Sequence, residues 1–446
     1  MRGLLVSSIG VAVSAALVLP LPAPSGAAPP PPPPSAAKVP DKAPDIAGST
    51  QSLPLAPSTR SLAPTAERGL LQRRVAPFSM VGVVWDDPAA ELRGTVQVRT
   101  RAAGTGAWSG WQDVETHNHE HGADPGTAEN RAARGSTAPL WVGASDGVEV
   151  RVRPATGEPA ALPAGMRLEL VDPGEAPEAA EEPEEPDEPE EPEEPEEAEE
   201  AEEPDGPEEA EAPEHPVQPT ALTRRAVYPT PQIHLPVLEA AAKPYIGPRP
   251  KIVSRAGWRA SEALRERGFV YSKTIKAAFV HHSATGNSYT CNQSPSVLRS
   301  IYRYHVVSSG WRDIGYNFAV DKCGNIYEGR AGGVTRAVRG AHTLGFNANT
   351  MGIAVLGSYS RVNPPAAAVT AVARLTAWKL GLFKGNPKGK VTLTSGGSGK
   401  HPRGRKVSFN VISGHRDGFY TDCPGTRLYG RLGTARNASA GYQGRV

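Results

Sequence analysis

The sequence predicts two folded domains, an all-β, sandwich-like domain followed by an α/β domain with a central mixed sheet flanked by helices. Residues 67–172 alternate short apolar runs with turn residues, and residues 245–436 interleave apolar strands with helical periodicity. Residues 173–244, between them, form an acidic linker rich in Pro and Glu. Strands interleaved with helices around one sheet are typical of α/β domains, and 446 residues suffice for two cores.

The first 28 residues have the pattern of an export signal peptide. Arg2 gives a positive start, residues 4–19 are largely apolar, and small residues at 25–28 suit cleavage. A retained membrane anchor is the alternative, but the apolar run is short for spanning a bilayer. We therefore expect a secreted protein with no stable membrane insertion after cleavage. Residues 29–66 open with six prolines and predict a Pro-rich disordered segment.

The first domain should be built from short antiparallel strands. The strand predictions cover residues 80–85, 94–100, 139–142, 147–152 and 166–171. Three tryptophans are expected to fill the core, with a sugar-stacking surface as the alternative: Trp108, Trp111 and Trp141. A cluster of three histidines and one acid could attract a metal, but its polar surroundings favour a solvated loop: His117, His119, Glu120 and His121.

The linker conceals the charge of the rest of the chain. Residues 172–214 hold 24 of the 47 Asp and Glu residues and no Lys or Arg, which predicts an extended, solvated spacer. An acidic interaction tail or cation-binding tail is the alternative. The remaining chain carries 48 Lys and Arg against 23 acids, so its folded parts are basic and favour anionic partners. Export makes anionic wall polymers the expected partners, rather than nucleic acid.

The second domain should contain a buried strand at 277–280, a helix beginning at Ser294 and Pro295, and a hairpin formed by 316–320 and 325–328. Further predictions are a strand at 351–356, a helix at 366–383 and a strand at 407–412. Residues 384–405 read as an inserted loop that offers Lys and Gly to wall polymers, and residues 437–446 as a tail.

Two distant stretches of this domain fit together as one metal site. They are residues 277–282 (AAFVHH) and residues 415–423 (HRDGFYTDC). Imidazole and thiolate are good Zn²⁺ ligands, and three protein ligands that leave a fourth position for water make a catalytic site. The expected chemistry is therefore zinc-assisted hydrolysis.

Several ordered motifs together resemble a known family. The segments FVHHSATG, GYNFAVDKCGNIYEGR, GAHTLGFNANTMGIAVLG and ISGHRDGFYTDCPG are similar to the peptidoglycan recognition protein family, which is related to the phage T7 lysozyme type of N-acetylmuramoyl-L-alanine amidase. The resemblance covers about residues 251–432. The order of domains resembles secreted members from high-GC Gram-positive bacteria, which are actinobacterial-like.

The resemblance implies a zinc amidase domain at 245–436 and a role for each motif residue. The implied metal ligands are His281, His415 and Cys423. His282 should point to the opposite face of the strand and pack there. Family members that bind without cleaving have typically lost the cysteine that this chain keeps as Cys423.

Further roles follow from the same resemblance. Tyr316 matches a tyrosine that lies beside the metal-bound water, and Thr421 matches a position that can donate to the oxyanion. His342 and Asn347 resemble residues that contact the glycan-peptide substrate. Arg330 could pair with a stem-peptide carboxylate, although an exposed structural arginine remains the alternative.

The three cysteines of an exported chain suggest one disulfide and one leftover thiol. If Cys423 binds the metal, as the resemblance implies, Cys291 and Cys323 remain to pair. An intermolecular disulfide through Cys423 is the alternative.

The expected function is that of a secreted, monomeric, zinc-dependent N-acetylmuramoyl-L-alanine amidase acting on peptidoglycan. A non-hydrolytic peptidoglycan-binding protein or cell-wall scaffold is the alternative.

Overall fold

The structure is a computed structural model that describes residues 46–57, 68–116, 118, 120–155, 162–174 and 245–445. The predicted signal peptide lies outside the described residues, and so do most of the Pro-rich segment and most of the acidic linker. His117 and His119 also lie outside them.

The first domain, residues 46–174, is all-β, as predicted. Its elements are β1 (Ser49–Pro54), β2 (Ala56–Pro57), β3 (Arg68–Trp85), β4 (Gly94–Ala102), β5 (Gln112–Val114), α1 (Ala128–Ala132), β6 (Gly135–Ser136), β7 (Leu140–Pro154) and β8 (Arg167–Asp172). The strands pair antiparallel in the order β1-β8-β3-β7-β4-β5, and β2 and β6 also pair with β3. Val96 and Val98 point into the core, whereas Thr95 on the same strand is exposed, so the alternation in the sequence marks the two faces of β4.

Two expectations for the first domain are wrong. The strands β1 and β2 lie inside the stretch 29–66 that was expected to be disordered, and β1 pairs with β8 from Ser49 to Pro54. Because β1 is an edge strand it needs partners on one side only, so it tolerates proline and lacks a strong apolar pattern. Of the tryptophans, Trp141 is buried, but Trp108 and Trp111 are only half-buried, and Trp111 packs against the guanidinium of Arg151 at 4.0 Å.

The second domain, residues 245–445, is α/β with a mixed sheet, as predicted. Its elements are β9 (Ile252–Val253), β10 (Ala277–His282), α2 (Ser294–Arg303), β11 (Phe318–Val320), β12 (Ile326–Glu328), β13 (Thr350–Val355), α3 (Ala366–Leu382), β14 (Lys390–Thr394), β15 (Lys406–Asn410), β16 (Ile412–Gly414), α4 (His415–Gly418), α5 (Thr426–Tyr429) and α6 (Leu432–Tyr442). The central sheet has the order β16-β10-β13-β11-β12-β9, and only β11 and β12 are antiparallel. A disulfide joins Cys291, just before α2, to Cys323 in the turn between β11 and β12.

The structure corrects three predictions near the C-terminus. The expected loop 384–405 contains β14, which forms a hairpin with β15. The expected strand 407–412 is divided, because β15 pairs with β14 whereas β16 joins β10 in the central sheet. Within the expected tail 437–446, residues 437–442 continue α6, since this helix packs on α3 and the Thr376 hydroxyl donates to Ser439 Oγ at 3.0 Å.

The two domains share a hydrophobic cluster and belong to one compact unit, Ile46–Val446. The first domain contributes Met80, Val84, Trp141 and Val171, and the second packs α2 and its neighbours on them. Tyr304, directly after α2, is fully buried and donates to the carbonyl of Thr137 at 3.0 Å. Its ring fills the space where a Cβ at Gly82 would come within 2.5 Å of it.

Among the described helices, none is both long and apolar enough to span a membrane.

Truncating Tyr304 tests whether this cluster holds the domains together. Tyr304→Ala should lower the free energy of unfolding by about 3–5 kcal/mol, because it leaves a cavity between the two domains. Tyr304→Phe keeps the ring and loses one hydrogen bond, so we expect only about 1 kcal/mol. Equilibrium denaturation in urea measures both changes, and equal effects of the two substitutions would contradict the packing described here.

Candidate metal centre

The parallel strands of the second domain bring distant histidines to one edge of the sheet. β10 lies between β13 and β16, and all three run in the same direction. His281 is at the carboxyl end of β10, and β16 leads directly into α4, which begins at His415. Cys423 lies on the loop that follows α4. The carboxyl ends of parallel strands thus place these three side chains together, as the two sequence stretches predict.

A fourth potential ligand comes from the first domain. The ligand atoms of His121, His281, His415 and Cys423 all lie within 4.8 Å of one another. The sulfur of Cys423 is 3.7 Å from His121 Nε2 and 3.7 Å from His281 Nδ1. Zinc bond lengths at tetrahedral angles place sulfur and nitrogen ligands about 3.5 Å apart. The donor set and its spacing therefore fit a tetrahedral metal ion.

Burial sets the protonation state of these groups. All four side chains are less than one-tenth exposed. Burial, followed by the proximity of His415, holds the pKa of both His121 and His281 well below the ordinary histidine value, so both imidazoles are neutral and have a free lone pair. Burial also raises the pKa of the Cys423 thiol. A bound cation reverses this last effect, because it stabilises the thiolate.

The solvated loop expected for the histidine cluster of the first domain is therefore wrong for its described members. His121 and Glu120 are both buried. They belong to the 120–132 segment, which connects β5 to β6 and reaches across to the second domain. The sequence does carry a run of potential ligands here, HNHEH at residues 117–121, but its position in the other domain concealed the partner residues.

Tyr316 and Thr421 lie next to the cluster. The Tyr316 ring centroid is 5.5 Å from that of His281, and burial, followed by the proximity of Cys423, raises the pKa of its phenol. Thr421 is half-buried, and its Oγ1 accepts a hydrogen bond from the backbone N–H of Cys423 at 3.1 Å. Thr421 thus helps to fix the loop that carries the sulfur.

A residue not anticipated from the sequence, Thr343, connects His281 to His342. Its hydroxyl is 3.4 Å from His281 Nε2 and 3.0 Å from His342 Nδ1. His342 is fully buried, and Phe279 and Thr350 surround its ring. The ring of His342 is thus placed to support the orientation of His281 through Thr343, and its contact with substrate stays a prediction.

The other two expected substrate residues contact the 120–132 segment. Asn347 donates from Nδ2 to the carbonyl of Gly122 at 2.7 Å and to Asp124 Oδ1 at 2.8 Å. Arg330 binds both carboxylate oxygens of Glu129, at 2.6 and 3.1 Å. The exposed structural arginine considered from the sequence is wrong, because Arg330 is only 6% exposed.

His282 faces away from the cluster, as the alternation of strand residues predicts. It is buried, and its Nδ1 accepts from the backbone N–H of Tyr359 at 3.4 Å. Burial lowers the pKa of His282 to about 4, so it packs as a neutral ring.

Both folded regions match known families. Residues 35–200 match the family described as Rv3811 N-terminal galactose-binding domain-like, and residues 271–426 match the N-acetylmuramoyl-L-alanine amidase family. The fold class expected from the sequence agrees with these matches.

The second domain also has similar individual proteins. Peptidoglycan-recognition protein SC2 of Drosophila simulans is 31% identical over 189 residues, 42% of this chain and 88% of that protein. Human N-acetylmuramoyl-L-alanine amidase is 31% identical over 192 residues, 42% of this chain and 28% of that protein. The solved structure of wild-type Drosophila PGRP-LB is 25% identical, covers 41% of this chain and 93% of its own, and has a TM-score of 0.33.

The adjacent histidines on β10 provide a matched test of metal binding. His281→Ala should abolish retention of zinc through dialysis against a chelator, because it removes one atom of the ligand cluster. His282→Ala, one position along the same strand, should retain one zinc per chain. Metal analysis by plasma emission measures both, and equal zinc contents would show that the cluster is not the metal site.

Proposed function

Since this chain belongs to the peptidoglycan-recognition protein family, we propose that it is a zinc-dependent N-acetylmuramoyl-L-alanine amidase. The proposed reaction is hydrolysis of the amide between the lactyl group of N-acetylmuramic acid and L-alanine of the stem peptide. The family match at residues 271–426 supports peptidoglycan amide hydrolysis or peptidoglycan binding in general. The choice of hydrolysis depends on the residues of the site.

The observation that carries the proposal is the convergence of His281, His415 and Cys423 in one buried cluster. Buried imidazoles and a thiol within 4.8 Å of one another suit Zn²⁺ better than the hard cations, which prefer oxygen ligands. When bound, zinc would lower the pKa of a water molecule towards neutrality and polarise the substrate carbonyl. Retention of Cys423 favours cleavage over mere binding, because the thiolate completes this ligand set.

Tyr316 is proposed as a catalytic residue. Its raised pKa keeps the phenol protonated at neutral pH, so it can donate a hydrogen bond throughout the reaction. Its ring centroid lies 5.5 Å from that of His281 and 6.0 Å from that of His121, so the ring borders the ligand cluster. Its role is to orient the attacking water and to stabilise the oxygen that gains charge as the amide is attacked.

Thr421 is proposed as the second donor to that oxygen. Its Oγ1 accepts from Cys423 N–H, which leaves the hydroxyl proton available for donation. A neutral donor stabilises developing negative charge without adding a permanent charge beside the metal.

Arg330 and Asn347 are proposed to bind the stem peptide. A guanidinium that binds a carboxylate through two parallel hydrogen bonds is suited to a peptide carboxylate. The bidentate contact with Glu129 indicates that Arg330 can make this geometry. Asn347 already binds a backbone carbonyl, that of Gly122, which is the contact that it would offer to a substrate peptide. His342 would act through Thr343 on the orientation of His281.

A non-hydrolytic peptidoglycan-binding protein is the second candidate. The observation that favours it is His121, whose Nε2 lies 3.7 Å from the sulfur of Cys423 and so could take the fourth ligand position that hydrolysis leaves to water. Removing zinc distinguishes the two candidates, because chelation should stop hydrolysis while leaving a purely binding protein still attached to insoluble peptidoglycan.

We place the proposed activity outside the cytoplasm. The disulfide between Cys291 and Cys323 supports an oxidising compartment, and the signal-like first residues are consistent with export. Peptidoglycan, the proposed substrate, lies in the same compartment.

Replacing Tyr316 by Phe should reduce kcat for release of L-alanine amino termini from peptidoglycan by about 10²-fold, because one transition-state donor is lost. Zinc content should stay at one per chain. Tyr289→Phe is the control, since Tyr289 is a buried tyrosine whose hydroxyl donates to the Leu356 carbonyl away from the ligand cluster. Unchanged turnover in Tyr316→Phe would remove Tyr316 from the catalytic machinery.

A further inference from the structure

We propose that His121 is a fourth ligand of the metal, and that the 120–132 segment acts as an internal substitute for the stem peptide. It fills the substrate groove, by which we mean the surface beside the ligand cluster that is formed by Arg330, Arg339, Gly345 and Asn347. The proposal rests on the zinc site and the substrate residues proposed above. It makes the conformation described here a closed, latent form of the amidase, which becomes active when the segment leaves the groove.

The first step of the argument is the ligand geometry. His121 Nε2 and His281 Nδ1 lie at the same distance, 3.7 Å, from the sulfur of Cys423. The His121 ring centroid is 4.4 Å from that of His415. His121 is therefore placed as an equal member of the set, and four protein ligands with no open position are the composition of a closed zinc site.

The second step is the burial of a polar ring. His121 is only 7% exposed, and within the described part of the chain its Nδ1 has no hydrogen-bond partner. Burying a polar ring without hydrogen bonds is unfavourable. Nε2, the nitrogen that faces the sulfur of Cys423 at 3.7 Å, is the atom placed to bind a metal ion, and that bond would offset the cost of burying the ring.

The third step is the carboxylate of Asp124, which occupies a set of donors on the second domain. Its Oδ1 accepts from the backbone N–H of Gly345 at 2.9 Å and from Asn347, through Nδ2 at 2.8 Å and through the backbone N–H at 3.3 Å. Its Oδ2 pairs with Arg339. These donors together form a site for an anion, which Asp124 occupies. Because stem peptides carry carboxylates, the same donors could bind a stem peptide.

The fourth step is the second carboxylate and the backbone between the two. Glu129 binds Arg330 through both oxygens, and the two side chains are 9% and 5% exposed, so this is a buried pair rather than a surface contact. The carbonyl of Glu120 accepts from the backbone N–H of Leu344 at 3.0 Å, and that of Gly122 accepts from Asn347. The segment thus presents carbonyls and carboxylates to the groove in the way that a peptide ligand would.

These groove contacts are separate from the hydrophobic cluster that docks the first domain. Tyr304 and the residues around it hold β3 and α2 together, whereas the 120–132 segment contacts the end of β10, Arg330 and the loop before β13. Peptidoglycan can therefore displace the segment while the domains stay docked. A substrate can bind only the chains whose segment has left the groove. Its apparent Kd therefore equals the intrinsic Kd divided by the fraction of chains that are open.

The experiment uses the full-length, zinc-loaded chain in four forms. They are the wild type, His121→Ala, the double variant Asp124→Asn with Glu129→Gln, and the triple variant that combines all three. Two control substitutions remove the same kinds of group, a histidine and a carboxylate, at positions outside the groove. His401→Ala removes a partly buried histidine outside the ligand cluster, and Glu149→Gln breaks the first-domain ion pair with Arg99.

Zinc affinity and coordination are measured apart from activity. In competition with a chelator, His121→Ala should weaken zinc binding about tenfold or more, since loss of even an outer contact typically costs that much. In the cobalt-substituted chain, added azide should change the visible spectrum of His121→Ala and leave the wild type unchanged, because only the variant has an open position. Unchanged affinity together with an azide-sensitive wild type would overturn the assignment of His121.

Hydrolysis of a soluble N-acetylmuramoyl peptide measures latency. The triple variant should exceed the wild type in kcat/KM by about tenfold or more, with both controls at the wild-type rate. Equal rates in the wild type and triple variant would overturn the blocking role. Should every form be inactive while the cobalt spectra change as expected, His121 remains a ligand and the amidase proposal is the part that fails.

A cadmium-113 NMR spectrum of the cadmium-substituted wild type tests the ligand assignment without any variant, so it does not depend on whether the variants fold. With labelled imidazole nitrogens, coupling to three histidines supports the assignment and coupling to two overturns it.

Discussion

The site depends on the burial of neutral imidazoles and a thiol at one edge of a parallel sheet. β10 is held between β13 and β16, so His281 cannot turn towards solvent without breaking the central sheet. Polar groups buried in this way are unfavourable unless they have partners. In the proposed site a metal ion shared by His281, His415 and Cys423 would offset part of this cost, so the burial of these side chains and the proposed chemistry would involve the same ion.

Burial of the ligand cluster also involves contacts between the two domains. The hydrophobic cluster around Tyr304 brings β3 against α2, and the chain between β5 and β6 then extends to the ligand cluster. Salt bridges within the groove, between Glu129 and Arg330 and between Asp124 and Arg339, are buried or partly buried. Breaking one partner of such a pair is costly, so the closed form should persist until a competing ligand supplies equivalent carboxylates.

The sequence was sufficient for the parts of the site that lie within one domain. The residue chemistry of the two stretches and the family resemblance pointed to His281, His415 and Cys423, which the structure brings together, and the mixed sheet follows from alternating strands and helices. The contribution of His121 could not be predicted, because it lies 302 positions before Cys423 in a different domain and its polar neighbours resemble a solvated loop. The position of His121 depends on its neighbours, since the carbonyls of Glu120 and Gly122 accept hydrogen bonds from Leu344 and Asn347, and such contacts leave no periodic pattern in the sequence.

The most direct measurement is a crystal structure of the full-length, zinc-loaded chain with diffraction data collected at the zinc edge. The account predicts one anomalous peak about 2.3 Å from the sulfur of Cys423 and about 2.0–2.1 Å from a nitrogen each of His121, His281 and His415. A peak that is bonded to water in place of His121, or that lies away from Cys423, would contradict it.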